Sequence, residues 1–339
     1  MKILYAIQGT GNGHLSRAHD ILPELQKYGN VDIVISGTDS ELHLQHTIKY
    51  RYHGLGFFFG KHGGINILKT AFKLRLFRFI KDVLSLPVHS YDIVINDFEP
   101  ITSWACKIRK KPCISLSHQT AVLKKTSPQS RVKNIQHLLG KFILKHYAPS
   151  TYKYGFHFKP YDDLTFTPII RKEIRNHPNI NLGHYSVYLP AYSDEFLITF
   201  FQNIPTITWH IFSKRTHTKQ SHTNVTLFPV SDSTFINSLC SSAGVICGAG
   251  FETPAEALYL GKKLFIIPMT GQYEQACNAT ALESIGIPTI PKLQKEDTDL
   301  IKAWSMLYDG IQIPYPDNTS ETVQKIINHT HYQIAYGVS

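Results

Sequence analysis

Residues 245–279 read VICGAGFETPAEALYLGKKLFIIPMTGQYEQACNA, and their order decides the fold. Val245-Ile246-Cys247 is an apolar run of strand length that ends in Gly248-Ala249-Gly250, the pattern of a buried strand delivering its backbone into a tight turn. Thr253 then stands at the expected N-cap, Pro254 at the first helical position and Glu256 three residues past the cap. Ala257, Leu258 and Leu260 carry a helix that stops at Gly261. The turn is a pocket for an anion, because unpaired N–H groups and the positive end of the helix dipole point at one spot. A second apolar strand, Leu264 to Pro268, leads into Gln272, Glu274, Gln275 and Asn278, side chains able to hold hydroxyls or read a base edge.

The N-terminus repeats the device. Lys2 to Ile7 is an apolar strand that runs into Gln8-Gly9-Thr10-Gly11-Asn12-Gly13-His14, and from Ser16 to Leu25 the residues Ala18, Ile21, Leu22 and Leu25 fall on one helical face. The spacing G-x-G-x-G-H departs from a dinucleotide fingerprint, whose third glycine comes later. His14, ending this loop, is a candidate general base, since an imidazole can take a proton from a hydroxyl at neutral pH. The strand Tyr91 to Asn96 ends in Asp97-Phe98-Glu99, and the strand Cys113 to Leu116 in Ser117-His118-Gln119. Strand carboxyl ends are where doubly wound folds bind ligands. Asp97 and Glu99 are therefore candidates to bind an acceptor hydroxyl, to support His14 or to act as base themselves. His118 is a candidate for chemistry or for capping the next helix.

The remaining strand-like runs are Val31 to Ser36, Lys49 to Phe59 and Gly155 to Phe158 in the first half, and Tyr185 to Leu189, Thr206 to Phe212, Val225 to Pro229 and Pro288 to Pro291 in the second. A chain of 339 residues suits two domains better than one core. Charge divides unevenly: residues 1–168 hold 23 Lys/Arg and 11 Asp/Glu, a net of +12, while residues 169–319 hold 11 and 13, a net of −2. The first half therefore faces something anionic. The basic, apolar-rich segment 65–86 suits either a membrane surface carrying anionic lipid or a core helix with a solvated edge, and 124–147 is a second basic amphipathic region. No run of eighteen apolar residues exists, and no signal-peptide core is recognisable, so a cytoplasmic location is expected. Five cysteines in apolar runs, without metal-like spacing, read as buried thiols in a reducing compartment.

GAGFETPAEAL, then GKK, then P-x-x-x-Q-x-E-Q-x-x-N-A, resembles the nucleotide-sugar site of GT-B glycosyltransferases, and GTGNGHLSRA resembles their N-terminal loop. The likeness is to the branch that contains the lipid II N-acetylglucosaminyltransferase, and it spans nearly the whole chain. It implies an α/β protein of two Rossmann-like doubly wound domains facing across a cleft. The acceptor-side domain would be 1–168, with the last helix (320–339) packing back on it, and the donor-side domain 169–319. By the same resemblance, Gly11, Gly13, Tyr192, Ser193, Gly248, Gly250, Phe251, Glu252, Thr253, Glu256, Gln272, Glu274, Gln275 and Asn278 line the donor site, Pro229-Val230-Ser231 faces the nucleobase, and His14 lies at the reacting centre. One departure stands out: Ile246-Cys247-Gly248 lacks the Arg found before the glycine turn in the lipid II enzyme.

The expected function is an inverting transfer from a nucleotide-sugar, uridine by likeness, to a lipid-linked or glycan acceptor at the inner face of the membrane, with no cofactor and no metal. Two other classes stay open. A nucleotide-sugar epimerase shares the fold but needs no acceptor surface. A nucleic-acid binder would use the basic first half, but leaves Gln272 to Asn278 unexplained.

Overall fold

The computed structural model describes residues 1–37, 46–54, 76–132 and 134–336. The far end of the strand expected over 49–59 and the first half of the basic segment 65–86 lie outside the described residues, as does the stretch after Gly37, where the sequence places a helix from Ser40.

Among the described residues seven parallel strands form the first sheet: β1 (Lys2–Gln8), β2 (Asn30–Ser36), β3 (Ile48–Tyr52), β4 (Ile93–Asp97), β5 (Ile114–Leu116), β6 (Tyr152–Phe156) and β7 (Thr165–Phe166), in the order β3-β2-β1-β4-β5-β6-β7. β1 shows why its sequence is a continuous apolar run. Ile3, Tyr5 and Ile7 pack with Leu15, Ala18, Ile21 and Leu22 of the helix Asn12–Gln26, whereas Leu4 and Ala6 pack on the other face with Val83, Ile101 and Ala105. Helices cover both faces, so Ile3 to Gln8 are all buried and only Lys2 at the start meets water. The last strand of this sheet is β7, reached after a loop, and not the segment Gly155 to Phe158.

The second sheet comprises β8 (Tyr185–Tyr188), β9 (Trp209–Ser213), β10 (Gln220–His222), β11 (Val225–Pro229), β12 (Gly244–Cys247) and β13 (Lys263–Ile266), in the order β10-β11-β9-β8-β12-β13. Only the three-residue β10 runs antiparallel. The closing strand expected over Pro288 to Pro291 is reduced to a single bridge between Ile266 and Thr289. Prolines on both sides of it cannot donate to a ladder.

Strand order reverses between β1 and β4 in one sheet and between β8 and β12 in the other. These are the points where a doubly wound sheet opens a crevice at its carboxyl edge. The chain passes between the sheets twice. It leaves β7, runs through the short helix Lys172–Arg175 to β8, and later returns so that the helix Thr319–Tyr336 packs on Asn12–Gln26. Lys325 Nζ donates to Asp163 O at 2.7 Å and Asn318 Nδ2 to Thr167 Oγ1 at 3.1 Å. The two passages are tied to each other, since the Arg175 guanidinium donates to Tyr315 O (3.0 Å) and Pro316 O (2.9 Å). All five cysteines are buried thiols.

Candidate functional site

β1 runs into Gly9-Thr10-Gly11, and the helix begins at Asn12, four residues earlier than its apolar spacing suggests. Gly11 turns the chain with φ 90°, a conformation glycine adopts without strain. His14 therefore sits in the first helical turn and not in a loop. β12 runs into Gly248-Ala249-Gly250, and its helix, Glu252–Leu260, begins with Phe251 at the N-cap position. Thr253 is thus inside the first turn and not its cap; the Phe251 ring, stacked on His118 at 3.9 Å, fixes the helix start upstream of it. Gly261 ends the helix in the left-handed conformation, as expected.

Neither helix has a side-chain cap. The first N–H groups of an α-helix have no intrahelical partner, and the dipole is positive at that end. Both ends open on one cavity of about 220 Å³, lined by Asn12, Gly13 and Ser16 from the first domain and by Gly250, Phe251, Glu252, Thr253 and Glu256 from the second. Tyr188, Val230, Ser231 and Phe235 extend the wall, and Arg171 comes from the passage between the sheets. The approach is close: a Cβ on Gly13 would lie 3.0 Å from Glu252 Cγ.

Behind the cavity lies a charged cluster that joins the two domains. Asp97, at the end of β4, is fully buried and meets His14 Nδ1 at 2.8 Å. It also accepts from Arg17 Nη2 at 2.9 and 2.8 Å and from Nε at 3.2 Å. Burial would raise this carboxyl, but Arg17 and then His14 outweigh it and hold it below the usual carboxylate range. With Nδ1–H donated to Asp97, His14 Nε2 is left as an acceptor, and the Gln119 Nε2 amide lies 3.4 Å from it. Arg17 reaches across the cleft as well, forming an ion pair with Glu252. Burial pushes Glu252 up, to about 7, with Arg17 pulling the other way.

The other expected residues divide into those at the cavity and those that hold the frame. Glu256 is gripped by Arg171 through Nε–Oε1 at 2.6 Å and Nη2–Oε2 at 2.9 Å, a bidentate pair whose oxygens each keep a lone pair. Gln275 Oε1 accepts from Ala249 N (3.1 Å) and Met269 N (2.8 Å), stapling the glycine turn beside Gly248 to the next loop. Its amide donates to Gln272 Oε1 at 3.0 Å. Glu274 faces Gln119 Nε2 with both oxygens at 3.3 Å. Glu99, expected near the reacting centre, instead caps the helix Pro100–Ile108: its oxygens accept from Ile101 N (2.7 Å) and Thr102 N (2.6 Å). His118 is likewise drawn into the frame. Its ring nitrogens lie 2.8 Å from Phe156 O and 2.8 Å from Asn278 Oδ1 of the other domain, and burial pushes it down to about 4. Tyr192 and Ser193 lie outside the cavity wall. Leu293 N donates to the Tyr192 hydroxyl at 2.8 Å, and Ser193 caps the helix Asp194–Gln202.

A family model described as glycosyl transferase family 1 matches residues 1–307. The chain belongs to that family. Solved glycosyltransferases share its fold at low identity. MurG of Acinetobacter baumannii is 14% identical with TM-score 0.53, over 96% of this chain and 99% of that one. LpCGTa in complex with UDP is 13% identical with TM-score 0.56, over 97% and 94%. The spinosyn rhamnosyltransferase SpnG complexed with thymidine diphosphate is 12% identical with TM-score 0.53, over 98% and 96%. No curated protein matches the chain. The fold of this family 1 member is thus α/β with two Rossmann-like domains, the GT-B arrangement.

Arg17 and Arg171, which grip the carboxylates at this cavity, escape a reading of the sequence for motifs. Arg17 could be found from its spacing, because three residues after His14 on a helix puts both side chains on one face. An Asp-x-Asp triplet, a common means of holding a divalent cation, occurs at Asp297-Thr298-Asp299. It stands outside the cavity wall, with Asp297 closing a capping box on Gln294. Among the described residues no group of His, Cys, Asp or Glu could hold a metal ion, and no helix is long and apolar enough to cross a membrane.

Proposed function

We propose that this glycosyltransferase moves a sugar from a UDP-sugar to a hydroxyl of a lipid-linked or glycan acceptor, by single displacement with inversion and without a metal ion. One juxtaposition carries the reading: two uncapped helix starts from opposite domains open on one cavity, and the first of them carries His14, paired with Asp97, in the turn directly behind it. His14 Nε2 takes the proton of the acceptor hydroxyl, and Asp97 holds the ring through Nδ1–H and stabilises the imidazolium that forms. The hydroxyl oxygen attacks the sugar carbon while the bond from that carbon to the diphosphate breaks. The charge left on the diphosphate falls to the helix N–H groups at Gly250 to Thr253. Glu256 takes the ribose hydroxyls on the lone pairs that Arg171 leaves, and Glu274 with Gln272 faces the sugar. Glu99 and His118 are assigned to positioning. Uridine is favoured by the UDP bound in LpCGTa, whereas SpnG is complexed with thymidine diphosphate.

The acceptor side is read from the first domain's surface. The helix Leu76–Ser85 exposes Leu76, Phe77, Ile80 and Leu84 beside Arg78 and Lys81, and the helix Ile135–Tyr147 exposes Ile135, Leu138 and Phe142 beside Lys141 and Lys145. Apolar stripes edged with lysine and arginine suit the anionic inner face of a membrane.

The test is turnover of UDP-sugars with lipid extract as acceptor. UDP release that requires the lipid, an inverted anomeric product and survival in chelator are expected. UDP release or sugar interconversion without any acceptor would favour an epimerase.

A further inference from the structure

We propose that Arg17 is a diphosphate-binding residue of this transferase, and that Glu252 occupies its place until a donor arrives. The inference rests on the donor reading above and adds a competition to it. A single buried guanidinium serves two carboxylates, Asp97 from its own domain and Glu252 from the other. The two carboxylates are not equivalent. Asp97 is enclosed in the sheet, whereas Glu252 lines the cavity and keeps 18% of its side chain exposed, with Arg17 directly behind it. Gly13 provides the room for this, since any side chain there would press on Glu252 Cγ.

The cavity that two helix starts make favourable for an anion is thus already partly neutralised by an anion of the protein. A nucleoside diphosphate brings further negative charge within a few ångströms of Glu252, at a spot sheltered from solvent screening. Either Glu252 swings off Arg17 and yields it to a phosphate oxygen, or it takes up a proton. Burial has already raised it to about 7. The groups that face it are Arg17, Glu256, Asp97, His14 and Tyr5. Both routes predict that removing the Glu252 charge helps the donor, the opposite of what a direct donor contact predicts.

The experiment is calorimetric titration of UDP, TDP and inorganic pyrophosphate into wild type, Glu252→Gln, Arg17→Lys and the double variant. Glu252→Gln is expected to bind UDP and pyrophosphate about five-fold or more tightly at about pH 8, the scale of one charge-assisted contact. The gain is expected to vanish at about pH 5.5, where Glu252 is protonated in the wild type. Ionisation of the nucleotide is common to both proteins and cancels in the comparison. Arg17→Lys should weaken pyrophosphate binding, and the Glu252→Gln gain should shrink in its background. Should Arg17→Lys fail to fold, the Glu252→Gln comparison decides alone. Equal or weaker UDP binding by Glu252→Gln at about pH 8 overturns the competition while leaving the donor site standing. If neither nucleotide nor pyrophosphate binds wild type, both readings fall.

Discussion

Gly11 and Gly250 each release a strand into a helix that has no side-chain cap, yet the first turns they open are chemically opposite. The turn from Asn12 carries an imidazole that leans on a buried carboxylate. The turn from Glu252 carries carboxylates, each held by an arginine, Glu252 by Arg17 and Glu256 one turn on by Arg171. One backbone device thus serves two purposes. The first domain presents an imidazole with a ring nitrogen left over, and the second presents carboxylates whose charge is already balanced by arginine. Net charge follows the same division, +12 against −2.

The sharpest way to break this contrast is at Asp97, because removing one partner of a buried pair strands the other. Asp97→Asn is expected to cost about 3 kcal/mol of stability in a denaturant titration. Its folded carboxyl lies below the ordinary range, so the contribution is present above about pH 4 and is lost as pH falls through the folded value. A variant as stable as wild type would show that Arg17 is satisfied by Glu252 alone. Next in size, His14→Ala should lower kcat about a hundredfold or more, with UDP affinity nearly intact, because general-base catalysis is worth about 10²–10⁴. Normal turnover in His14→Ala, with loss in Asp97→Asn, would move the base to Asp97.

On the other side of the comparison, Glu256→Ala should weaken UDP binding by about 1–3 kcal/mol while sparing kcat at saturation, since partners left unpaired cost that much. An unchanged calorimetric affinity would remove Glu256 from the donor site. The smallest effect belongs to the outer face: Lys145→Ala should weaken vesicle binding about five-fold, on anionic lipid only and less at high salt. Equal partitioning onto neutral vesicles would detach the first domain's positive charge from any membrane role.

The strands and both glycine turns were legible because buried parallel strands are continuous apolar runs and turns need glycine; Asp97 followed from strand-end logic, and His14 from the resemblance carried by GTGNGH. What was not legible depended on distance in the fold. Arg17 sits on an amphipathic helix, where a charged residue reads as solvent-facing until Asp97, 80 residues away, is brought against it. Glu99 looked chemical because it stands at a strand end, but the same position starts a helix, and the N–H groups of Ile101 and Thr102 claimed it. β7 and β10, two and three residues long, are too short to show a period. Arg171 lies in the segment between the sheets, where no apolar pattern marks which way a side chain turns.

The double passage between the sheets, with Arg175 lashing one strand of chain to the other, sets how the molecule can move. Two tethers side by side make a spine: folding about it leaves both at their natural length, whereas twisting or sliding stretches one. Any opening of the cleft is therefore expected to run about that spine, as the covers of a book turn about its back.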